Sequence, residues 1–438
     1  MKIFKSLFLL LSVLLFNESF SQSYIGYNAD NYSGIHGVTH NPSNIFGSNF
    51  KTDVNLISVS GFTGSDYFGI NFSSILSGNF DVDEDSERFV SDKNNFFLNT
   101  DILGPSFMFN INKKSSIGII TRARVFFNLN NINGELFEAI EDDFESDSNV
   151  AFGSQNLNGT IHAWTEIGIA YGRLLMDKQN HILKGGVTLK YLQGAGALFT
   201  NSPGLTGQYN NVTETLTTQG ELNYGTTEDF DSDDLGFDNL TAGFGLDLGF
   251  TYQWHPNRED DSTPIYKDHY KLKAGIAITD IGSIKYKNAE RTTYNMNNTV
   301  DASSFDDLEE FLDDNYNNTD VIEDTKIQLP TALHLLVDYR LAKKWLVSAQ
   351  ANLSLVKKEN DLASSIINTV TIAPRLETKW FSFYTPLSFR QYGDFAFGGG
   401  FRLGPLSVGS GSIFSNLLSD SSKTTDVFFG LKVPIYRK

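Results

Sequence analysis

Thr241–Trp254 reads TAGFGLDLGFTYQW, and its alternation decides what kind of object the chain is. Ala242, Phe244, Leu246, Leu248, Phe250, Tyr252 and Trp254 occupy one parity, and Gly243, Gly245, Asp247, Gly249, Thr251 and Gln253 the other. A period of two over this length is a strand with one apolar and one polar face. It ends in Tyr and Trp, whose rings suit the boundary between hydrocarbon and headgroups. A soluble antiparallel sheet alternates in the same way, so the neighbouring stretches must decide.

They repeat the pattern in both directions. Upstream, Phe107, Phe109 and Ile111 share a face; Ile117, Ile119, Ala123, Val125 and Phe127 oppose Arg122 and Arg124; Ile167, Ile169 and Tyr171 oppose Glu166; Val187, Leu189 and Tyr191 oppose Lys184 and Lys190. Downstream, Leu272, Ala274 and Ile276 alternate with Lys271 and Lys273, and Leu333, Leu335, Val337 and Tyr339 with His334, Asp338 and Arg340. Similar stretches place Arg375, Glu377, Arg390, Arg402 and Lys432 opposite apolar rows, to the C-terminus. Very short links near 112–115, 177–180, 342–344 and 404–405 alternate with long, mostly acidic ones around 75–104, 131–157, 196–240 and 281–329. Outer-membrane barrels have short periplasmic turns and long external loops. Setting the last strand toward the periplasm also brings Trp254, Tyr339, Trp345 and Trp380 to one boundary, where an aromatic girdle belongs.

The fold expected is therefore all-β, an antiparallel transmembrane β-barrel of about 14 strands beginning near Tyr67, with an N-terminal plug-like segment and long acidic external loops. Residues 53–61 also read as a strand but break the parity. They either pair with a further strand, giving sixteen, or lie inside the barrel; fourteen is the reading adopted.

Composition agrees. Across 438 residues, 40% hydrophobic content and a mean hydropathy of -0.22 exclude a helical membrane protein but not a barrel, whose apolar half hides in alternation. The 36 Phe, 18 Tyr and 37 Gly suit strands, tight turns and crowded barrel interiors. Cysteine is absent, which excludes disulfides, a thiolate metal site and a cysteine nucleophile. A net charge of -18 excludes nucleic acid as a partner.

Residues 1–21 read as a secretory signal peptide: Lys2 and Lys5, an apolar run at 7–16 too short to span a bilayer, then Ser19 and Ser21 before a cut. The expected location is the cell outer membrane of a Gram-negative bacterium, after cleavage. Residues 22–51 are a polar segment and candidate lumenal hatch centred on Asn41 and Pro42, and 52–438 form the barrel.

No catalytic constellation stands out. The seven His, at 36, 40, 162, 181, 255, 269 and 334, show no metal-ligand spacing, and no nucleophile elbow or phosphate loop is present. The chain reads as no enzyme, and no cofactor is expected. The acidic clusters Asp81, Asp83, Asp85 and Asp229, Asp231, Asp233 are the candidate calcium ligands of external loops. An EF-hand counted from Asp229 would need Gly and Glu where Asp234 and Leu240 stand. Residues 306–314 (DDLEEFLDD) suit a short acidic helix with Phe305, Leu308 and Leu312 against the barrel rim. The candidate lumen lining is Arg122, Arg124, Glu166, Lys184, Lys190, Asp247, Lys271, Lys273, Arg340, Arg375 and Arg402. Mixed charges of this kind cross-brace a plugged barrel, the reading preferred, or line a polar pore.

The C-terminal run Gly400-Phe401-Arg402-Leu403-Gly404-Pro405-Leu406-Ser407-Val408-Gly409-Ser410, followed by Asp426-Val427-Phe428-Phe429-Gly430-Leu431-Lys432-Val433-Pro434 and combined with the early Asn41-Pro42, resembles a family of uncharacterised outer-membrane barrels from Bacteroidota. More distantly the chain resembles long-chain fatty-acid transporter barrels, whose N-terminal Asn-Pro-Ala segment belongs to a plug, and the shuttle barrel of type IX secretion. Ser43 stands in place of that Ala. The resemblance implies fold and outer-membrane location. Two functions follow as expectations: binding or transport of a small amphipathic or hydrophobic molecule, or a non-enzymatic interaction subunit offering its acidic loops to surface or secretion proteins. A transporter should gather apolar loop residues into a pocket, with Phe199, Leu205, Phe230 and Phe237 available.

Overall fold

In the computed structural model, which describes residues 24–437 apart from 79–80, 82–84, 228–239, 259–268, 304, 306 and 393–394, the sheet closes on itself. Phe50–Ser65 (β1) pairs antiparallel with Thr424–Tyr436 (β14) on one side and with Asn94–Leu103 and Ser106–Asn110, which together make β2, on the other. Between them run β3 (Ser115–Ile132), β4 (Val150–Lys178), β5 (His181–Asn210), β6 (Thr241–Trp254), β7 (Leu272–Asn295), β8 (Asn317–Gln328 continued by Ala332–Arg340), β9 (Trp345–Ser354), β10 (Thr369–Glu377), β11 (Phe381–Tyr384 and Leu387–Arg390), β12 (Phe395–Phe397 and Gly399–Leu403) and β13 (Leu406–Ser410). The described residues thus form a closed barrel of 14 antiparallel strands. At membrane depth each of the fourteen strands pairs antiparallel with the next and β14 returns to β1, so the described strands close around the lumen.

The count is the expected one, but the first strand is not. Phe68–Ile70 belongs to a small separate hairpin with Ser86–Arg88, and 53–61 lies in β1. Its parity breaks because register shifts after Phe50 and Asn55 let Leu56 and Ile57 both face outward, while Asp53, Asn55, Ser58 and Ser60 stay inside. The links placed at 75–104, 131–157, 196–240 and 281–329 are also shorter than expected, because strands continue well into each of them.

Polarity is inside out for a soluble sheet. On β6 the outward Phe244 and Phe250 are 73% and 49% exposed, whereas the inward Asp247 is 2% exposed. Leu189, Ile169, Ile276, Val337, Ile372 and Val433 continue the outward apolar belt around the barrel. Only hydrocarbon makes that arrangement favourable. Trp254, Tyr339, Trp345 and Trp380 stand exposed at the short-turn end, where Gly404 adopts a left-handed φ of 57° to make the tight turn before Pro405. Phe250→Arg is expected to destabilise the barrel by about 2–4 kcal/mol, read as a lowered urea midpoint in lipid vesicles; an unchanged midpoint would contradict a lipid-facing Phe250.

β4 and β5 are 29 and 30 residues long, whereas about 9–11 suffice to cross a membrane. The surplus rises above the membrane as an extension of the wall. Thr215–Thr226 completes it, pairing with the upper parts of β5 and β7, and Asn298–Asp301 pairs with Thr215–Thr218 in turn. Two helices close over it: α2 (Gly134–Glu141), capped by Asn133, and α3 (Leu308–Asn315), whose first-turn amides are capped by Asp307. The cap and the acids Glu309 and Glu310 suit the positive end of the α3 dipole. The barrel interior at membrane depth holds α1 (Ile35–His40) and the rest of the N-terminal segment.

Candidate functional site

The N-terminal segment is clamped inside the lumen by long cationic side chains. Lys184 donates to the Phe46 carbonyl (3.1 Å), Lys273 to that of Ala29 (3.3 Å), and Lys432 to those of Tyr32 (2.7 Å) and Ser33 (3.0 Å). Arg402 pairs with Asp30 at 3.2 Å, and Glu377 accepts from the backbone and side-chain amides of Asn31. Arg375 holds Glu377 (2.9 Å) and Asp338 (3.0 Å) in turn. Above these clamps the Asn41-Pro42-Ser43 turn lies against the wall. Asn41 donates to the carbonyls of Phe250 (3.1 Å) and Ile276 (3.3 Å), and its own carbonyl caps Ser43. The wall is bare there: Gly172, Gly186 and Gly249 are in register across β4, β5 and β6. A Cβ on Gly186 would lie 2.3 Å from the Pro42 carbonyl carbon.

Higher in the lumen the remaining charges brace one another. Arg122 bridges Asp101 (2.6 Å) and Glu166 (3.0 Å), Arg124 meets Asp280 (2.9 Å), and Lys190 reaches Asp280 (2.6 Å) and Asp247 (2.8 Å). All are buried. This network ties β2, β3, β4, β5, β6 and β7 together through the lumen. Of the candidate lining residues, Lys271 stands apart, lying over the outward Tyr339 ring and donating to the Arg340 carbonyl at the short-turn end, whereas Arg340 borders a lumenal cavity with Asn31, Lys273 and Glu377.

Above the membrane the interior changes character. Inside the wall extension, under α2 and α3, lies an apolar chamber of about 180 Å³. Leu136, Phe152, Leu205, Leu216, Met296 and Phe311 are among the side chains that line it. Glu309 is the one charged side chain among the described lining residues. The hydroxyls of Thr160, Thr200, Thr218 and Tyr294 are turned to protein partners, and burial pushes the Tyr224 phenol up to about 12, aided by the Glu309 carboxylate. The walls therefore offer an occupant dispersion and shelter from water, with few hydrogen bonds.

A family model matches residues 42–411, most of this barrel. The chain belongs to a family of unknown function, DUF5723. The match includes Pro42 and the Gly400–Ser410 run but ends before Asp426-Val427-Phe428. No functionally curated protein matches the chain. Among solved structures, this DUF5723 barrel is similar to a FadL homologue from Pseudomonas aeruginosa (10% identity, 93% of this chain and 94% of that one, TM-score 0.44). It is also similar to the toluene transporter TbuX of Ralstonia pickettii (9%, 92% and 95%, TM-score 0.42) and to the translocator domain of the autotransporter NalP from Neisseria meningitidis (7%, 89% and 89%, TM-score 0.31).

In the DUF5723 barrel the chamber and the lumen are separated by a floor. The loop between β9 and β10, residues 355–368, folds inward instead of out: Asp361 accepts from Thr160 and Asn201, and Ser365 exchanges hydrogen bonds with Asn128. Leu362 and Ile366 pack on Phe126, Trp164, Phe199 and Tyr286. Leu205 lines the chamber and Phe199 lies in this floor; Phe230 and Phe237 lie outside the described residues. So do Asp83, Asp229, Asp231, Asp233 and residues 1–23. Asp81 and Asp85 meet each other, the Asp85 carboxylate accepting from the Asp81 amide and the Ser74 hydroxyl. No group of three or more metal-ligating side chains forms among the described residues.

Sequence reading missed Asp101 and Asp280. Asp101 was assigned to an external loop. Asp280 falls on the outward parity of β7, but a bulge opposite Asp247 (φ of Asp280 58°) turns it inward, and its amide then donates to Asp247 at 2.7 Å. An unpaired Asp on a lipid-facing row, directly after Thr279, was the available signal.

Proposed function

We propose that this barrel sits in the outer membrane of a Gram-negative bacterium, after removal of the signal peptide, and takes up a small hydrophobic molecule without chemically altering it. The observation that carries the reading is the apolar chamber at the external end, stacked above a floor loop, a charged lumen and a clamped N-terminal segment. A ligand would leave the bilayer surface or medium for the chamber, and its onward passage would need the 355–368 floor and the Asn41-Pro42 hatch to shift. Lumenal Lys184, Lys273, Arg375 and Arg402 act in this scheme as clamps on the hatch. The chamber can be tested with an uncharged fluorescent probe, 1-N-phenylnaphthylamine, added to the purified barrel in detergent. Leu308→Trp, on the roof helix α3, should weaken binding at least tenfold by filling the space; equal binding by both proteins would sink the chamber as the site.

A second reading, an interaction subunit, is favoured by one feature. The Asn317–Gln328 part of β8 pairs on one side with β7, and among the described residues most of its other edge is open, with Val321 and Ile322 exposed beside acids. Such an edge accepts a further strand. A stoichiometric protein retained through native purification, and lost on Val321→Pro, would support that reading; purification of the barrel alone counts against it.

A further inference from the structure

A second cavity, of about 70 Å³, lies in the lumen below the floor loop, between the end of α1 and the wall strands β2 and β9. Four buried side chains that line it carry polar atoms with no hydrogen-bond partner among the described residues: Nε2 of His40, Oδ1 of Asn99, Nε2 of Gln350 and Nε of Arg124. Buried polar atoms are rarely left so, and four around one cavity mark a place that something else fills. We propose that this cavity is a binding site for a small uncharged molecule with an amide or hydroxyl group at one end and an apolar group at the other.

The chemistry follows from the lining. Gln350 Nε2 donates and Asn99 Oδ1 accepts, and His40 Nε2 does either according to its tautomer. An amide or a hydroxyl supplies both partners at once. The lining also includes the apolar side chains of Ile25, Phe126 and Ile366, beside which water finds no partner whereas a methyl or methylene group packs. An ion is disfavoured because the bordering charges already hold one another: Arg122 with Asp101 at 2.6 Å and Arg124 with Asp280 at 2.9 Å. A metal ion is disfavoured as well. His334 lies near His40, ring centroids 4.4 Å apart and tilted, but both its nitrogens are engaged, by Thr279 and Asn352.

The site joins the hatch to the wall. His40 is the residue before Asn41, so an occupant bonded to His40, Asn99 and Gln350 would fasten the hatch to β2 and β9, on the far side from its glycine seat on β4, β5 and β6. It does not depend on the external chamber being a ligand site, since the floor loop divides the two.

Acetamide is the probe. With the full-length barrel in detergent micelles, saturation-transfer NMR should show transfer to the acetamide methyl, and the transfer should fall at least fivefold in Asn99→Leu and in Gln350→Met. Asn99→Leu keeps the branching and Gln350→Met the length of the side chain, and both remove the polar atom. In the unaltered protein, crystals soaked in acetamide should show the amide between Asn99 and Gln350, a result that does not depend on either variant folding. Ordered water alone in those crystals would overturn the proposal, as would transfer that both variants leave unchanged.

Discussion

Arg122→Met is expected to lower barrel stability by about 3–5 kcal/mol, because it strands two buried carboxylates at once. The guanidinium of Arg122 meets Asp101 through Nε at 3.1 Å and Nη2 at 2.6 Å, and Glu166 through Nη1 at 3.0 Å. Met keeps most of the packing volume, so the loss is electrostatic and not a cavity effect. Glu166 would keep Lys190 at 3.7 Å and Arg124 at 3.8 Å, both longer than the bond it loses. Asp101 would lose both of its hydrogen bonds to the guanidinium. The measurement is urea unfolding in lipid vesicles followed by tryptophan fluorescence, where Trp164, on the neighbouring wall and beneath the Arg124 guanidinium, reports on the lumen. The triple variant Arg122→Met, Asp101→Leu, Glu166→Leu should recover part of the loss, since an apolar replacement of a whole buried ionic group is often neutral. If Arg122→Met unfolds within about 1 kcal/mol of the wild type, water rather than the arginine satisfies these carboxylates, and the braced-lumen account fails.

How far the sequence could take a reader to this network is set by register and by the membrane surface. Strand parity put Arg122, Arg124, Glu166, Lys190 and Asp247 on inward faces, because at membrane depth the apolar row must face lipid and the polar row is left for the lumen. Asp280 was lost to a bulge, which changes parity within a strand and leaves no composition signal. The chamber was lost for a related reason. Above the bilayer the outer face meets water and the inner face meets the chamber, so the apolar row changes sides: Leu189 and Tyr191 point outward low on β5, but Phe199, Leu205 and Tyr209 point inward above it. Gly196, at φ 156° beside a register shift opposite Ala163 and Trp164, marks the crossover. These apolar residues keep odd numbers on both sides of the crossover, so parity alone gives a reader no sign that the face has changed. The inward folding of 355–368 was hidden by long range: its partners Asn128, Thr160 and Asn201 are far away in the chain.

Gly186→Leu is expected to unseat the hatch, and it tests a feature that no single stretch of sequence displays. Each of Gly172, Gly186 and Gly249 reads alone as a small inward residue; only the strand register lines them up under the Asn41-Pro42-Ser43 turn. At Gly186 the nearest atoms to an added Cβ are all backbone: Pro42 C at 2.3 Å, Pro42 O at 2.4 Å and Ser43 N at 2.4 Å. Backbone cannot rotate aside as a side chain does, so either the strand or the turn must move. The strand is paired on both sides, through Gly172 and Gly249. The turn is held on this side by two Asn41 amide bonds and by Ser43 Oγ with Thr251 Oγ1 at 2.6 Å, each worth roughly 0.5–1.5 kcal/mol net. Those bonds cannot outweigh interpenetrating backbone, so the turn lifts. Native cysteine is absent, which gives a direct readout: Ser43→Cys, buried in the seated hatch, should react slowly with a water-soluble maleimide. In the Gly186→Leu background its labelling should accelerate at least tenfold, and planar-bilayer conductance should rise with it. Asn41→Ala, which removes the two bonds to the wall and the two from Ser43 but inserts nothing, should accelerate labelling far less. Slow labelling in Gly186→Leu would mean that the wall yields instead, and that the N-terminal segment is a fixed part of the barrel core and not a hatch.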